Sequence, residues 1–351
     1  MLGTGLLYLL LLLAATEIVL GLRGFRATVL DTEQRWIAQR SEASRLGSQA
    51  LILVGASRIQ LGIDLDVLRE VTGLQPVQLA IDGSSFVPVL EGLADDPTVT
   101  GTVLISYQDG TIPGGDRTAL PARYEAHYRS RTRAPSDYRW VEDRLSETMR
   151  THFRNYADGA RPLDSLLQRV VVASATPQYL MTLPDRSRMA DYQRVSMPGF
   201  YYGRVMRDLG DQFSIPSQWT YGDLDRELQR RIAAVRPADN GQFLKVLPRL
   251  EAAINALQER GARVLFVMMP TSGLVNALHE RRFPRNEFWE QFARKTRATT
   301  LHFADVPALA AFQCPDGSHL DYRDRGRFTQ HLATALGLAR RVPGRVAALG
   351  S

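Results

Sequence analysis

The sequence predicts an α/β fold of three layers, with helices on both faces of a parallel sheet and a transmembrane helix at the N-terminus. Three observations carry that prediction. Short apolar runs end in small or polar residues, helical segments separate those runs, and the first residues form an almost unbroken apolar stretch of their own. Strands that are apolar throughout belong in a sheet covered on both faces. Their alternation with helices makes that sheet parallel.

The elements follow in order. Leu2–Leu22 is long enough to cross the roughly 30 Å hydrocarbon core of a bilayer. No charged segment precedes it and no small-x-small cleavage site follows, so 1–23 reads as a retained anchor rather than a signal peptide. Glu17 interrupts the run, where a carboxylate must be neutral, partnered or near the interface, or else contact another membrane protein. Residues 24–50 read as a stalk, with a polar helix over Ala27–Gly47. The first part of the core, 51–110, contains strand Leu51–Gly55, helix Leu65–Val71 closed by Gly73, strand Val77–Ile81, helix Val87–Leu93 and strand Thr102–Ser106.

From 111 to 240 the rhythm breaks. Arg, Tyr, Asp and Pro are abundant there, and helical pieces at Trp140–Phe153 and Leu163–Ala175 indicate a largely helical insertion over one end of the sheet. The second part of the core, 241–351, resumes the alternation with helix Phe243–Arg260 and strand Arg263–Met269. A loop over Pro270–Gly273, a helix over Arg285–Thr296 and a strand at Leu301–Phe303 come next. A final helix, Arg323–Leu338, sets Phe328, Leu332 and Leu336 on one face.

Composition narrows the function classes. Of 351 residues 44% are hydrophobic and 23% charged, enough to bury a core without staples. The single cysteine, Cys314, excludes an intrachain disulfide and reads as a small buried residue. The net charge of +6 is almost all arginine, since Lys245 and Lys295 are the only lysines. Those arginines are interspersed with acids rather than striped, which is not a nucleic-acid footprint. No His/Cys/Asp cluster has metal-ligand spacing and no phosphate-binding glycine loop occurs, so neither metal nor other cofactor is expected.

In a parallel sheet, ligands bind beyond the carboxyl ends of the strands. Ser57, in Gly55-Ala56-Ser57-Arg58, follows the first strand and presents a hydroxyl at that edge; the same pattern also serves as a plain turn or helix cap. A serine needs a base to take its proton, and the imidazole needs a partner that fixes its tautomer. Asp316-Gly317-Ser318-His319 has the spacing for the carboxylate to fold back onto Nδ1 while Nε2 faces outward. Arg58 is placed to hold an anionic sugar or phosphate, or to form an ordinary salt bridge. Ser84 is read as substrate-binding or helix-capping, and Ser272 as substrate-binding or part of a turn.

Four blocks in this order resemble the SGNH (GDSL-type) hydrolase and acetyltransferase superfamily. They are Gly55-Ala56-Ser57, Ile81-Asp82-Gly83-Ser84, Tyr107-Gln108-Asp109-Gly110 and Asp316-Gly317-Ser318-His319. The resemblance covers about 51–110 and 261–338, and implies a flavodoxin-like sheet. It also implies a nucleophile at Ser57, a general base at His319 oriented by Asp316, and an oxyanion hole built from Gly83 and Gln108. Two positions depart from the family pattern. Ala56 stands where an Asp is usual, and Gln108 offers its amide on an arm one methylene longer than the usual Asn.

With the anchor, the chain resembles membrane-anchored proteins that O-acylate extracellular polysaccharides. The resemblance implies a cell-envelope polysaccharide and an acyl donor as partners, a membrane-bound O-acyltransferase alongside, and a single pass through the cytoplasmic membrane. It places the catalytic domain outside, although Arg23, Arg26 and Arg35 alone would favour the cytoplasm. The aromatics Tyr124, Tyr128, Tyr138, Trp140, Tyr201, Tyr202 and Trp219 suit either sugar stacking or a core. A hydrolase and a catalytically degenerate accessory subunit of a polysaccharide complex are the competing readings.

Overall fold

A computed structural model describes residues 2–112, 114–131, 148–149, 151–210 and 213–340. Within them the strands are β1 (Ala50–Val54), β2 (Gln75–Gln78), β3 (Thr102–Tyr107), β4 (Leu180–Thr182), β5 (Arg188–Ala190), β6 (Arg263–Met268) and β7 (Thr299–His302). Five of them form one parallel sheet in the order β2-β1-β3-β6-β7, and β4 and β5 make a separate antiparallel hairpin. The strand order reverses between β1 and β3, which is the crevice of a doubly wound sheet.

Successive strand residues point to opposite faces. Ile52, Val54, Val103, Ile105, Val264 and Phe266 therefore face a layer built by helices Glu33–Leu46, Val87–Ala94, Asp116–Arg131, Gly241–Glu259 and Trp289–Lys295. Leu51, Leu53, Leu104, Leu265 and Val267 face helices Ser57–Gly62, Leu65–Thr72 and Tyr322–Ala335. The three expected layers are present.

Several elements differ from expectation for local reasons. β2 begins earlier than expected, and beyond it Leu79 and Ile81 still donate to Leu53 and Gly55 of the β1 segment. Helix Gly273–Arg282 directly follows the Pro270–Gly273 loop and was not expected there. Residues 24–50, read as a stalk, carry helix Glu33–Leu46, capped by Thr32 and packed on the sheet. Trp36 of that helix is fully buried and its indole Nε1 donates to the Leu79 carbonyl at 2.9 Å. Its polar composition hid this because the buried face includes Arg40, which bonds Asp96, Glu125 and the Gly92 carbonyl.

The span 111–240 is not one appended unit. Asp116–Arg131 belongs to a covering layer through Tyr124 and Tyr128. Helices Gly199–Leu209 and Tyr221–Ala234 instead pack on Gly273–Arg282 through Val205, Leu228 and Leu278. The expected helix Trp140–Phe153 lies almost wholly outside the described residues, as does Tyr138. The piece expected at Leu163–Ala175 is a helical run from Pro162 to Val171 that widens into π-type turns.

The N-terminal helix Leu2–Leu22 is long and apolar enough to cross a membrane and is exposed along most of its length. Glu17 finds its partners within the chain. Its carboxylate accepts from the Arg154 amide (2.7 Å) and guanidinium (3.1 Å), and from the Asn155 amide (3.1 Å) and side chain (2.8 Å). Hairpin β4–β5 is fixed just after this helix, where Val29 donates to the Thr182 carbonyl and the Thr182 amide donates to Thr28 Oγ1. Arg186, in its turn, grips Asp31 and the carbonyls of Gln78 and Ala80.

Gly55 ends β1 at a φ of 145°, and a Cβ there would lie 2.8 Å from Ser106 Cβ on the neighbouring strand. Gly55→Ala is expected to lower unfolding stability by about 1–3 kcal/mol. A clearly lower midpoint of thermal unfolding in detergent is the measurement; an unchanged midpoint would show that the strands can move apart.

Candidate active site

Loops at the carboxyl ends of β1, β2 and β3, together with the loop before helix Tyr322–Ala335, bring the sequence-selected residues to one cavity. Its volume is about 720 Å³, and Ser57, Arg58, Gly83, Gln108 and His319 all line it. Ser57 is the first residue of a helix, so its amide has no partner within that helix. Gly83 takes a left-handed φ of 66° in the turn after β2, and its amide is engaged by no other backbone group among the described residues.

Ser57, His319 and Asp316 form an unbroken hydrogen-bonded chain. Ser57 Oγ lies 2.8 Å from His319 Nε2, and His319 Nδ1 lies 2.8 Å from Asp316 Oδ2. Asp316 Oδ1 accepts from the amides of Ser318 (2.9 Å) and His319 (2.7 Å), which locks the carboxylate beneath the ring. Gly317, at a φ of 82°, makes the tight turn that lets both ends meet.

Electrostatics set the protonation states. Burial pushes the His319 imidazole below its usual range against the opposing pull of Asp316, with Arg204 and Arg58 adding to the depression. Burial alone would raise the Asp316 carboxyl, but its bond to His319, the His319 and Arg204 charges and the Ser318 amide hold it well below the usual range. The pair at neutral pH is therefore a carboxylate and a neutral imidazole whose free Nε2 can take the Ser57 proton.

Other expected residues fall into two groups. Arg58 lines the cavity, donates from Nε to Ser318 Oγ at 3.2 Å, and keeps a buried Nη1 with no hydrogen-bond partner among the described residues. Burial lowers its pKa. Ser84 and Ser272 are not on the cavity wall. Ser84 is buried with its hydroxyl on the Asp82 carbonyl, whereas Ser272 Oγ accepts from the Cys314 amide and so steadies the loop that carries Asp316. Burial pushes the Cys314 thiol up to about 12, which keeps it protonated.

Sequence reasoning missed several cavity groups. Arg204, from helix Gly199–Leu209, donates to Asp316 Oδ2 at 3.1 Å, and no spacing signal links it to a loop 112 residues away. Asp82 stands beside Gly83 and pairs with Arg188 at 2.6 Å. Burial would raise its carboxyl, but Arg188, His319 and the Ser57 hydroxyl hold it below the usual range. His279 lines the wall and pairs with buried Asp109 at 3.2 Å. The aromatic residues at the cavity are Tyr179, Tyr192 and Phe283 rather than those expected, because Tyr124 and Tyr128 lie in the core and Tyr201, Tyr202 and Trp219 pack around the helices Gly199–Leu209 and Tyr221–Ala234.

No protein-family model matches this chain, and no curated protein does. The chemistry is read from the site alone.

Arg204 is a positive charge beside both members of the acid–base pair. Its removal in Arg204→Gln is expected to raise the His319 pKa, since one of the charges opposing a second positive charge is gone. Histidine NMR titration should show that resonance moving to higher pH, with Arg204→Lys restoring most of the original value. No movement would mean that solvent already screens the guanidinium.

Proposed function

We propose that this chain is a membrane-anchored serine acyltransferase or esterase of the SGNH type, acting on acyl esters, acetyl foremost, of a cell-envelope polysaccharide. The observation that carries the reading is the Ser57–His319–Asp316 chain, opening on a cavity at the switch point of a parallel sheet. Ser57 lies 262 residues from His319 in sequence, yet it meets the Asp316–His319 pair at the distance that nucleophilic catalysis needs. The strand order matches the flavodoxin-like arrangement of that superfamily.

In the proposed reaction His319 Nε2 accepts the Ser57 proton as Oγ attacks the acyl carbonyl. The amides of Ser57 and Gly83, with the Gln108 side-chain amide, stabilise the resulting oxyanion. Collapse expels the donor alcohol, which takes the proton back from His319 and leaves an acyl group on Ser57. A glycan hydroxyl, or water in the esterase direction, then gives its proton to His319 and attacks the acyl carbon, and the second tetrahedral intermediate expels Ser57 Oγ, which takes that proton back from His319. Asp316 stays ionised throughout and stabilises the imidazolium. No metal or cofactor is required by these steps.

The cavity wall also favours an acidic acceptor. Arg58, Arg117, Arg188, Arg204, Arg207 and Arg282 line it against Asp82 and Asp208 alone among the carboxylates. Even with ionised Asp316 bonded to Arg204, the wall carries more positive than negative charge, and that excess attracts a carboxylate- or phosphate-bearing sugar. The anchor fits a single pass through the cytoplasmic membrane with the domain outside, beside a membrane-bound O-acyltransferase that supplies acyl groups.

One observation favours the accessory-subunit reading. The Asp82 carboxylate sits next to the Gly83 amide, where negative charge opposes an oxyanion, and Gln108 departs from the usual Asn. Pre-steady-state kinetics with p-nitrophenyl acetate separate the readings. Wild type is expected to release a burst of nitrophenolate and carry acetyl on Ser57, and Ser57→Ala or His319→Ala to lose about 10³-fold or more in rate. A burst that persists in Ser57→Ala sinks the acyl-enzyme, and equal restoration of glycan acylation in cells by wild type and both variants supports the scaffold. Transfer from the acetyl-enzyme is expected to prefer an acidic oligosaccharide over a neutral one of equal length, with the preference fading as salt rises.

A further inference from the structure

Outside the N-terminal helix, exposed large apolar side chains are concentrated in one place. Phe153, Leu163, Leu167, Val171 and Val172 lie within twenty residues, and among the other described residues of the domain only Leu30, Met197, Ile215 and Tyr221 are large apolar side chains exposed to a comparable degree. Leu163, Leu167 and Val171 recur every four residues, on one side of the helical run Pro162–Val171. The opposite side holds buried Ser165, whose hydroxyl donates to the Asn155 carbonyl. The segment is amphipathic, with its apolar side turned away from the protein.

The same segment packs against the N-terminal helix. Arg154 and Asn155 bind Glu17, the Arg23 guanidinium donates to the Arg169 carbonyl, and Arg169 lies over the Phe25 ring at 5.1 Å. The segment thus lies alongside the span, and Arg23, Arg161 and Arg169 border its apolar side with positive charge against the exposed carboxylate Asp164. Apolar side chains rimmed by arginines at the end of a span are the composition of an element that lies in the headgroup layer of a bilayer.

We propose that Phe153–Val172 is an interfacial membrane element that lays Leu163, Leu167, Val171 and Val172 into the phospholipid bilayer beside the span. The inference rests on Leu2–Leu22 lying in that bilayer, and it is independent of the reaction at Ser57. A second contact with the membrane fixes the tilt and rotation of the domain, which a single helix leaves free. Hairpin β4–β5 supplies Leu180 and Arg188 to the cavity wall and is bonded to Thr28 and Val29. Thr28 follows Leu22 by six positions, at most about 20 Å of extended chain. The cavity is therefore held close to the lipid surface in a defined orientation.

The test uses the full chain reconstituted alone in phospholipid vesicles, with an environment-sensitive NBD label on Leu167→Cys. Buried Cys314 does not compete for the label. Leu9→Cys within the span and Glu259→Cys, exposed at the amino end of β6, serve as references. The label at 167 is expected to shift its emission to the blue and to be quenched by lipids carrying a nitroxide near the headgroup, while that at 259 does neither. A water-like spectrum at 167 with a lipid-like one at 9 overturns the inference and leaves the anchor standing. Water-like spectra at both positions overturn the two together. A surface reserved for another protein would give the first of these results, because lipid alone would not cover it.

Discussion

Asp316 is a carboxylate taken out of water, and the geometry of the site depends on keeping it ionised there. An isolated buried carboxylate would protonate rather than keep its charge. Here two backbone amides, the His319 ring and the Arg204 guanidinium all donate to it. The tight turn at Gly317 makes the amide bonds possible, and Ser272 steadies the loop by bonding the Cys314 amide. A neutral Asp316 would donate or lose these bonds in part, and the imidazole would no longer have a fixed tautomer. Ser57 would then face a ring nitrogen with no defined role.

That requirement explains why the helix Gly199–Leu209 is part of the site rather than decoration around it. Arg204 reaches Asp316 only because Val205, one residue on, is buried against helices Tyr221–Ala234 and Gly273–Arg282. The guanidinium supports the carboxylate and at the same time disfavours a protonated His319. These effects act together, since both keep the resting pair as carboxylate and free base. The arrangement ties the acid–base pair to the packing of a segment that comes from outside the alternating core.

The layered fold was legible because its signals are local. β1 is apolar throughout and β3 and β6 are apolar at most buried positions, and the loop after each of the first three strands carries small residues. Ser57, Asp316 and His319 were legible through order and spacing, and Gly83 and Gln108 through their place after β2 and β3. Arg204, Asp82, Arg188 and His279 were not, because their roles arise from tertiary packing that no periodicity records. The stalk expectation failed for a related reason. Helix Glu33–Leu46 reads as polar only if Arg40 is assigned to solvent, yet Asp96 and Glu125, far along the chain, make its burial tolerable.

That packed helix changes the spatial relation between membrane and site. A stalk would have let the domain sample many heights and orientations above a bilayer. Instead the chain leaving Leu22 enters the fold at once, bonding hairpin β4–β5 through Thr28 and Val29 and meeting Arg186 through Asp31. The hairpin in turn walls the cavity and places Arg188 against Asp82, beside Ser57. The connection from anchor to Ser57 thus runs through a handful of buried hydrogen bonds rather than a flexible tether. If Leu2–Leu22 lies in a bilayer, the cavity's position relative to it is set by folding, and a substrate of the proposed reaction held there would lose little further ordering entropy on encounter.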